Sequence, residues 1–146
     1  MELILTKLIY ISWLVVRLVT ALDTRNASDQ KVERDEFASI LISIGLKRNV
    51  AKVLTYLAAA SEATSREIEI GSDLRQPEVS IAMREIRRLD WVMERDEKNP
   101  GKGRPYRIYR LSKSLPEIVE FLEAEKSKES ERIMTQIEKL KSLKSN

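Results

Sequence analysis

Basic side chains are concentrated in residues 98–110, whose sequence is KNPGKGRPYRIYR. This stretch contains five lysines and arginines and no acidic residue, whereas the formal net charge of the whole chain is only +3. Ammonium and guanidinium groups bind phosphate oxygens, and the glycines at 101 and 103 let a backbone approach them closely. We therefore expect this stretch to bind nucleic-acid phosphates through Lys98, Lys102, Arg104 and Arg107. The competing interpretation is a solubilising hairpin tip.

A second set of side chains with recognition chemistry lies on a predicted helix that begins at Pro77 and runs to about Leu89. Helical spacing places the apolar side chains on one inward face: Val79, Ala82, Met83, Ile86 and Leu89. The side chains turned away near the helix start are Gln76, Ser80, Ile81 and Arg84. Glutamine pairs with adenine, arginine pairs with guanine, and isoleucine can meet a thymine methyl group. We expect this outward set to contact base edges or phosphates in the major groove of duplex DNA.

Four more residues complete the candidate DNA-binding set. Arg87 and Arg88 lie nearer the end of the same helix, where phosphate contacts are expected, and Ser65 and Arg75 are further candidates. The alternative is an ordinary solvated helix face whose arginines pair with neighbouring glutamates. Glu78 is an objection to DNA binding, because it places an acid where a phosphate would approach. It would instead stabilise the helix start or accept a hydrogen bond from cytosine.

The composition excludes several chemistries. The 146-residue chain has no cysteine and no histidine, so disulfides, thiolate and imidazole metal ligands, cysteine nucleophiles and histidine bases are ruled out. Its four glycines form no phosphate-cradling loop of the common patterns. Aromatic residues make up 5% of the chain, which argues against stacking platforms for single strands. We expect no enzymatic activity, no cofactor and no metal site.

Periodicity and capping signals predict the elements that position these side chains. Helices are expected at 33–44 and about 47–60, followed by a short helix opened by a capping box at Thr64-Ser65-Arg66-Glu67. A turn at 71–75 precedes the helix of residues 77–89, and alternating strands at 91–96 and 106–111 form a hairpin. This order predicts a mainly α fold with a small β-hairpin (α+β). It corresponds to a winged helix-turn-helix domain at 32–112, with extra N- and C-terminal helices.

Residues 1–31 are predicted to form a hydrophobic helix at 3–22 followed by a polar linker at 23–31. Three interpretations of the helix stay open: an element buried in a dimer interface, a membrane anchor, or the product of a misassigned start codon. Arg17 lies inside the would-be membrane span, where it would cost about 2–3 kcal/mol, which weakens the anchor interpretation. We expect a cytoplasmic protein.

Residues 113–146 are predicted to form a long helix, opened by Ser114-x-x-Glu117 and ending at about residue 143. Apolar residues occur near its start (Ile118, Val119, Leu122) and near its end (Ile133, Ile137, Leu140), separated by an almost entirely polar stretch. The first group would pack against the hairpin and the second against a partner subunit, although a single solvated helix is the alternative. A homodimer through the N- and C-terminal helices would hold two reading helices about 34 Å apart.

Two motifs also carry a family resemblance. The sequence LRQPEVS at 74–80 resembles the start of the recognition helix in MarR-type winged-helix regulators. The sequence GKGRPYRIYRL at 101–111 is similar to the wing of archaeal regulators related to the MarR, ArsR and TrmB groups. The resemblance covers residues 47–112 and implies a dimeric transcription regulator that binds double-stranded DNA at a pseudo-palindromic operator.

The chain departs from these groups in two respects. It lacks the sugar-binding domain of full-length TrmB proteins and the cysteine or histidine ligands of metal-sensing ArsR members. A small-molecule effector is therefore unsupported by the sequence. The alternative function is that of a protein-interaction module, in which the winged helix serves as a docking surface and the N-terminal segment anchors or pairs it.

Overall fold

The structure is a computed structural model that describes residues 2–20 and 27–145. Its elements, in chain order, are α1 (Glu2–Thr20), α2 (Ala27–Ser43), α3 (Arg48–Ala60), β1 (Ala63–Thr64), α4 (Ser65–Ser72), α5 (Gln76–Arg88), β2 (Val92–Glu97), β3 (Tyr106–Leu111) and α6 (Leu115–Leu143). The strands form one antiparallel sheet in the order β1-β3-β2. The described part of the chain is therefore mainly helical with a small sheet, which confirms the predicted α+β class.

Helix α3 lies in the middle of the core and contacts α2, α4, α5 and β3. Its predicted apolar stripe is buried: Val50, Val53, Leu54 and Leu57. The buried hydroxyl of Thr55 donates to the carbonyl oxygen of Ala51 at 2.7 Å, so no polar group is left unsatisfied there. Burial of one large aliphatic side chain contributes about 1.5–3 kcal/mol. Helix α3 is thus the surface on which the neighbouring helices are held.

Both predicted capping boxes are present. The hydroxyl of Thr64 accepts from the backbone N–H of Glu67 at 3.3 Å, and the Glu67 carboxylate accepts from the backbone N–H of Thr64 at 2.7 Å. The backbone hydrogen bond from Thr64, followed by its side-chain hydrogen bond, lowers the pKa of Glu67. Ser114 and Glu117 form the same pair of bonds at the start of α6. These short-range signals fix where α4 and α6 begin.

Helix α2 begins at Ala27, so the predicted linker is wrong for residues 27–31 and the predicted helix start near residue 33 is too late. Residues 23–26 of that linker lie outside the described residues. Alanine, glutamine and lysine are good helix formers, and the Arg34 Nε donates to the carbonyl oxygen of Gln30 at 3.3 Å. A solvent-facing first turn has no apolar stripe, so its composition resembles that of a linker.

The predicted turn at 71–75 is also too long, because α4 continues through Gly71 to Ser72. Asp73 adopts a left-handed conformation with φ 53° and ends the helix. Gly71 has a packing role rather than a turning role, since a Cβ at this position would overlap the ring of Tyr56. The connection between α4 and α5 is therefore only three residues long.

The sheet differs from the predicted hairpin in two ways. Strand β1 was not predicted, and it pairs with β3 through Ala63 with Tyr109 and Thr64 with Ile108. A strand of two residues is too short to show the alternation of apolar and polar residues that predicts a strand. The alternation of apolar and polar residues from which the first hairpin strand was predicted does not appear in its burial, because only Val92 of β2 is buried. Beyond that residue β2 is the outer strand of the sheet and has solvent on both faces.

The terminal helices pack on each other through one face of each. Helix α1 contacts α2 and α6 and buries Ile11 and Leu14, and residues 21–22 of the predicted helix lie outside the described residues. The first turns of α6 are buried, but the element that α6 mainly contacts is α1 rather than the predicted hairpin; Phe121 lies edge-on to Trp91 at 5.5 Å between ring centroids. From 131 to 145 every residue of the chain is exposed. Over the described residues, no helix combines the length and apolarity required to cross a membrane.

Two isoleucines on α4 provide a matched test of this packing. Ile68 is 0% exposed and Ile70 is 68% exposed. We expect Ile68→Ala to lower the free energy of unfolding by about 2–5 kcal/mol, because it removes buried methyl groups and leaves a cavity. Ile70→Ala should stay within about 0.5 kcal/mol of the parent protein. Urea denaturation measures both, and equal losses would contradict the placement of α4.

Candidate nucleic-acid interface

The start of α5 is fixed by Glu78. Its carboxylate accepts from the backbone N–H of Arg75 at 2.8 Å, which is half of a capping box because an arginine side chain cannot accept in return. The same carboxylate lies 3.6 Å from the guanidinium of Arg48. The backbone carbonyl of Glu78 accepts a hydrogen bond from the Asn49 side-chain amide at 3.3 Å. Of the two roles open to Glu78, the structure supports stabilisation of the helix start.

The two faces of α5 divide as the sequence predicts. Its inward side chains are buried against the core, with Leu89 partly buried beside them: Val79, Ala82, Met83 and Ile86. The outward face carries Gln76, whose amide donates to the Ser80 hydroxyl at 2.9 Å. Ile81 is 51% exposed. Arg84 is exposed and forms no ion pair with any described residue. This face presents donors, acceptors and one apolar group to solvent.

The two arginines at the end of α5 form ion pairs with glutamates of the same chain. Arg88 donates two hydrogen bonds to Glu85, at 2.6 and 3.2 Å, and these bonds raise the pKa of Arg88. Arg87 pairs with Glu94 on β2 and lies over the ring of Tyr109, 5.9 Å from its centroid. Both side chains are partly exposed, yet part of their hydrogen-bonding capacity is already used. They differ in this respect from Arg84.

The flank of the hairpin is less basic than residues 98–110 suggest on their own. The register pairs Asp96 with Arg107, and the Arg107 guanidinium lies 3.3 Å from Asp96 and 3.2 Å from Glu94. Arg95 likewise pairs with Glu62 and Glu97. The sequence prediction missed this because the acids precede the loop while the counted cations follow it. The acids of β2 and the arginine of β3 lie at similar distances from the turn, and this spacing could have predicted that they pair.

The tip of the hairpin is where cationic charge remains available. Lys98, Lys102 and Arg104 are exposed and form no ion pair with the part of the chain that the structure describes. The Asn99 side chain accepts from the backbone N–H of Gly101 at 3.3 Å, which holds the loop in a tight turn. Three of the four predicted hairpin cations therefore stay free, whereas Arg107 is paired.

The remaining candidates lie around the starts of the two helices. Ser65 is the first residue of α4 and is half-buried, and Arg75 precedes α5 and is exposed. Two cations beside them were not predicted from the sequence: Arg48, which contacts Glu78, and Lys52, one turn further along α3. Their spacing of four residues, on one face of a predicted helix, was the available signal.

The described residues provide no group of three acidic side chains placed to hold a metal ion. Comparison with known protein families and with curated proteins gives no match.

Proposed function

We propose that this chain is a winged-helix protein that binds double-stranded DNA sequence-specifically and regulates transcription as a homodimer. The observation that carries the proposal is the outward face of α5, whose polar groups and Ile81 are exposed beside a hairpin tip with free cations. A surface that only kept the protein in solution would not require exposed isoleucine at this position. Base edges in a major groove offer partners for both kinds of group.

The arrangement of elements supports the same proposal. Helices α4 and α5 are joined by a three-residue connection and both pack on α3. In a helix-turn-helix, the second helix enters the major groove by its first turns while the first helix braces it. Gln76, Ser80 and Arg84 follow one another at one-turn intervals from the start of α5, so they would meet successive base pairs. The hairpin then reaches the backbone or minor groove next to that helix.

Arg84 and Arg88 separate base reading from ordinary surface charge. We expect Arg84→Ala to reduce discrimination between preferred and unrelated duplexes by about 1–3 kcal/mol, because its free guanidinium would pair with guanine. Arg88→Ala, one turn away on the same helix, should leave the sequence preference unchanged, since Glu85 occupies its donors. Genomic-fragment selection followed by fluorescence anisotropy measures both. Equal loss of preference in the two variants would contradict the assignment of Arg84.

The hairpin tip is tested by the salt dependence of binding. The double change Lys98→Gln/Lys102→Gln should weaken all duplexes alike and reduce the slope of log K against log salt by about 2, because two phosphate contacts are lost. The matched control is Lys113→Gln/Lys128→Gln, which removes the same charge from exposed positions outside the hairpin. Identical slopes for the parent and the tip variant would remove the hairpin from the interface.

The end of α6 supports the homodimer. Residues 131–143 are the end of the 29-residue helix α6, and every one of them is exposed. The exposed apolar residues of this segment are Ile133, Met134, Ile137, Leu140 and Leu143. A second copy packed along this stripe would bury it and stabilise the helix, as in a short coiled coil.

A pair of charge substitutions tests this interface. We expect Ile137→Glu/Leu140→Glu to convert a dimer into a monomer in light scattering after gel filtration, because it places acids in the packed stripe. Thr135→Glu/Ser142→Glu adds the same charge on the opposite face of α6 and should leave the dimer intact. A parent protein that is monomeric at all concentrations would remove the homodimer from the proposal.

One observation favours a second candidate, the protein-docking module. The outer strand β2 carries Glu94, Asp96 and Glu97, which pair with arginines and leave the hairpin flank almost neutral. A neutral flank suits a protein partner better than a phosphate backbone. No duplex binding at low salt by the parent protein would favour this candidate over DNA.

A further inference from the structure

A recess of about 660 Å³ lies between α2, α3 and the end of α4. Small-molecule sites in proteins occupy about 300–1,000 Å³, so its size suits a ligand rather than a single ion. The recess lies on a different part of the surface from the outward face of α5 and the hairpin tip.

Cationic side chains outnumber acidic ones on the walls of this recess. Lys31 and Arg34 come from α2, Arg48 and Lys52 come from α3, and the acids lining it are Asp35 and Asp73. Lys31 and Lys52 form no ion pair with a described residue. The Arg34 Nε donates to a carbonyl oxygen of its own helix, which leaves its charge uncompensated. A surplus of positive charge in a concave site favours an anionic ligand.

The remaining wall combines an aromatic ring with aliphatic groups. Tyr56 lies over the backbone of Gly71, a close approach that a side chain at residue 71 would prevent. Ile42 and Ile70 line the same recess and are exposed. Burial, together with the nearby Glu67 carboxylate, raises the pKa of Tyr56, whose hydroxyl can donate a hydrogen bond. This wall offers a planar apolar surface beside the cations.

We propose that the recess binds a small nucleotide-like ligand. Its phosphates would contact Lys31, Arg34, Arg48 and Lys52, and its base would lie against Tyr56 and Ile70. Two lysines and two arginines supply the charge-assisted hydrogen bonds that phosphate oxygens accept. None of the residues that line the recess belongs to the outward face of α5 or to the hairpin tip, so a small phosphate ester suits it better than the duplex that those surfaces would bind.

The ligand would also affect the start of α5. Arg48 lines the recess and lies 3.6 Å from Glu78, whose carboxylate caps the backbone N–H of Arg75. A phosphate bound at Arg48 competes with Glu78 for that guanidinium and so alters the charge at the helix start. This consequence rests on the proposed DNA-binding function, whereas ligand binding itself does not.

Isothermal titration of the full chain with ADP and with inorganic pyrophosphate tests the site. We expect saturable binding of ADP, weaker binding of pyrophosphate because it lacks a base, and at least a tenfold loss of ADP affinity in Lys31→Gln/Lys52→Gln. The control Lys113→Gln/Lys128→Gln, with the same loss of charge outside the recess, should bind ADP like the parent protein. Both lysines of the recess variant lie on accessible helix faces, and far-UV circular dichroism verifies its fold.

Three results would overturn the inference: no saturable binding of either probe, an equal loss in the control, or a recess variant that loses duplex DNA affinity while the parent ignores ADP. The last result would assign the recess to the DNA backbone. If the parent binds ADP through these lysines but no duplex, the ligand site stands and the proposed DNA-binding function fails. The two proposals are thereby distinguished.

Discussion

The packing of α5 on α3 decides which side chains the protein presents to a partner. The inward side chains of α5 are buried in the core around α3: Val79, Ala82, Met83 and Ile86. Burial of each large apolar side chain contributes about 1.5–3 kcal/mol, whereas an exposed ion pair contributes about 0–1 kcal/mol. Apolar burial therefore fixes the rotation of α5 about its axis, and the polar residues take the positions that remain. The one-turn spacing of the outward face follows from this constraint and from the helical period.

The sequence predicts those features of the fold that depend on neighbours a few residues away. The capping boxes at Thr64 and Ser114, and the two faces of α5, are each determined within one or two helical turns. Features set by distant contacts were missed. Strand β1 exists because it pairs with β3, and Gly71 is required by Tyr56 from another helix. The start of α2 was missed for a different reason, since an exposed polar turn has no pattern that separates it from a linker.

The charge available at the candidate site also depends on distant contacts that the sequence does not show. A count along residues 98–110 treats every cation as free, but strand pairing brings acids from β2 opposite the cations of β3. Arg107 is paired for this reason, and Lys98, Lys102 and Arg104 are not, because they lie in the loop beyond the last strand pair. The available charge thus lies mainly at the tip, because, of the two cations of β3, only Arg110, which lies opposite Met93, forms no ion pair with a described residue. A phosphate backbone would therefore meet a small cationic patch at the hairpin tip rather than a basic surface along the whole hairpin.

Glu78 is the residue at which folding and the proposed recognition meet. An acid in the first turn of a helix is stabilised by the helix dipole, and its carboxylate also holds the Arg75 N–H and faces Arg48. These contacts compensate much of its negative charge within the protein. The repulsion that it would exert on an approaching phosphate is correspondingly reduced. An acid that looks misplaced on a DNA-facing helix is therefore compatible with the proposed interface, because the structure uses it to set where that helix begins.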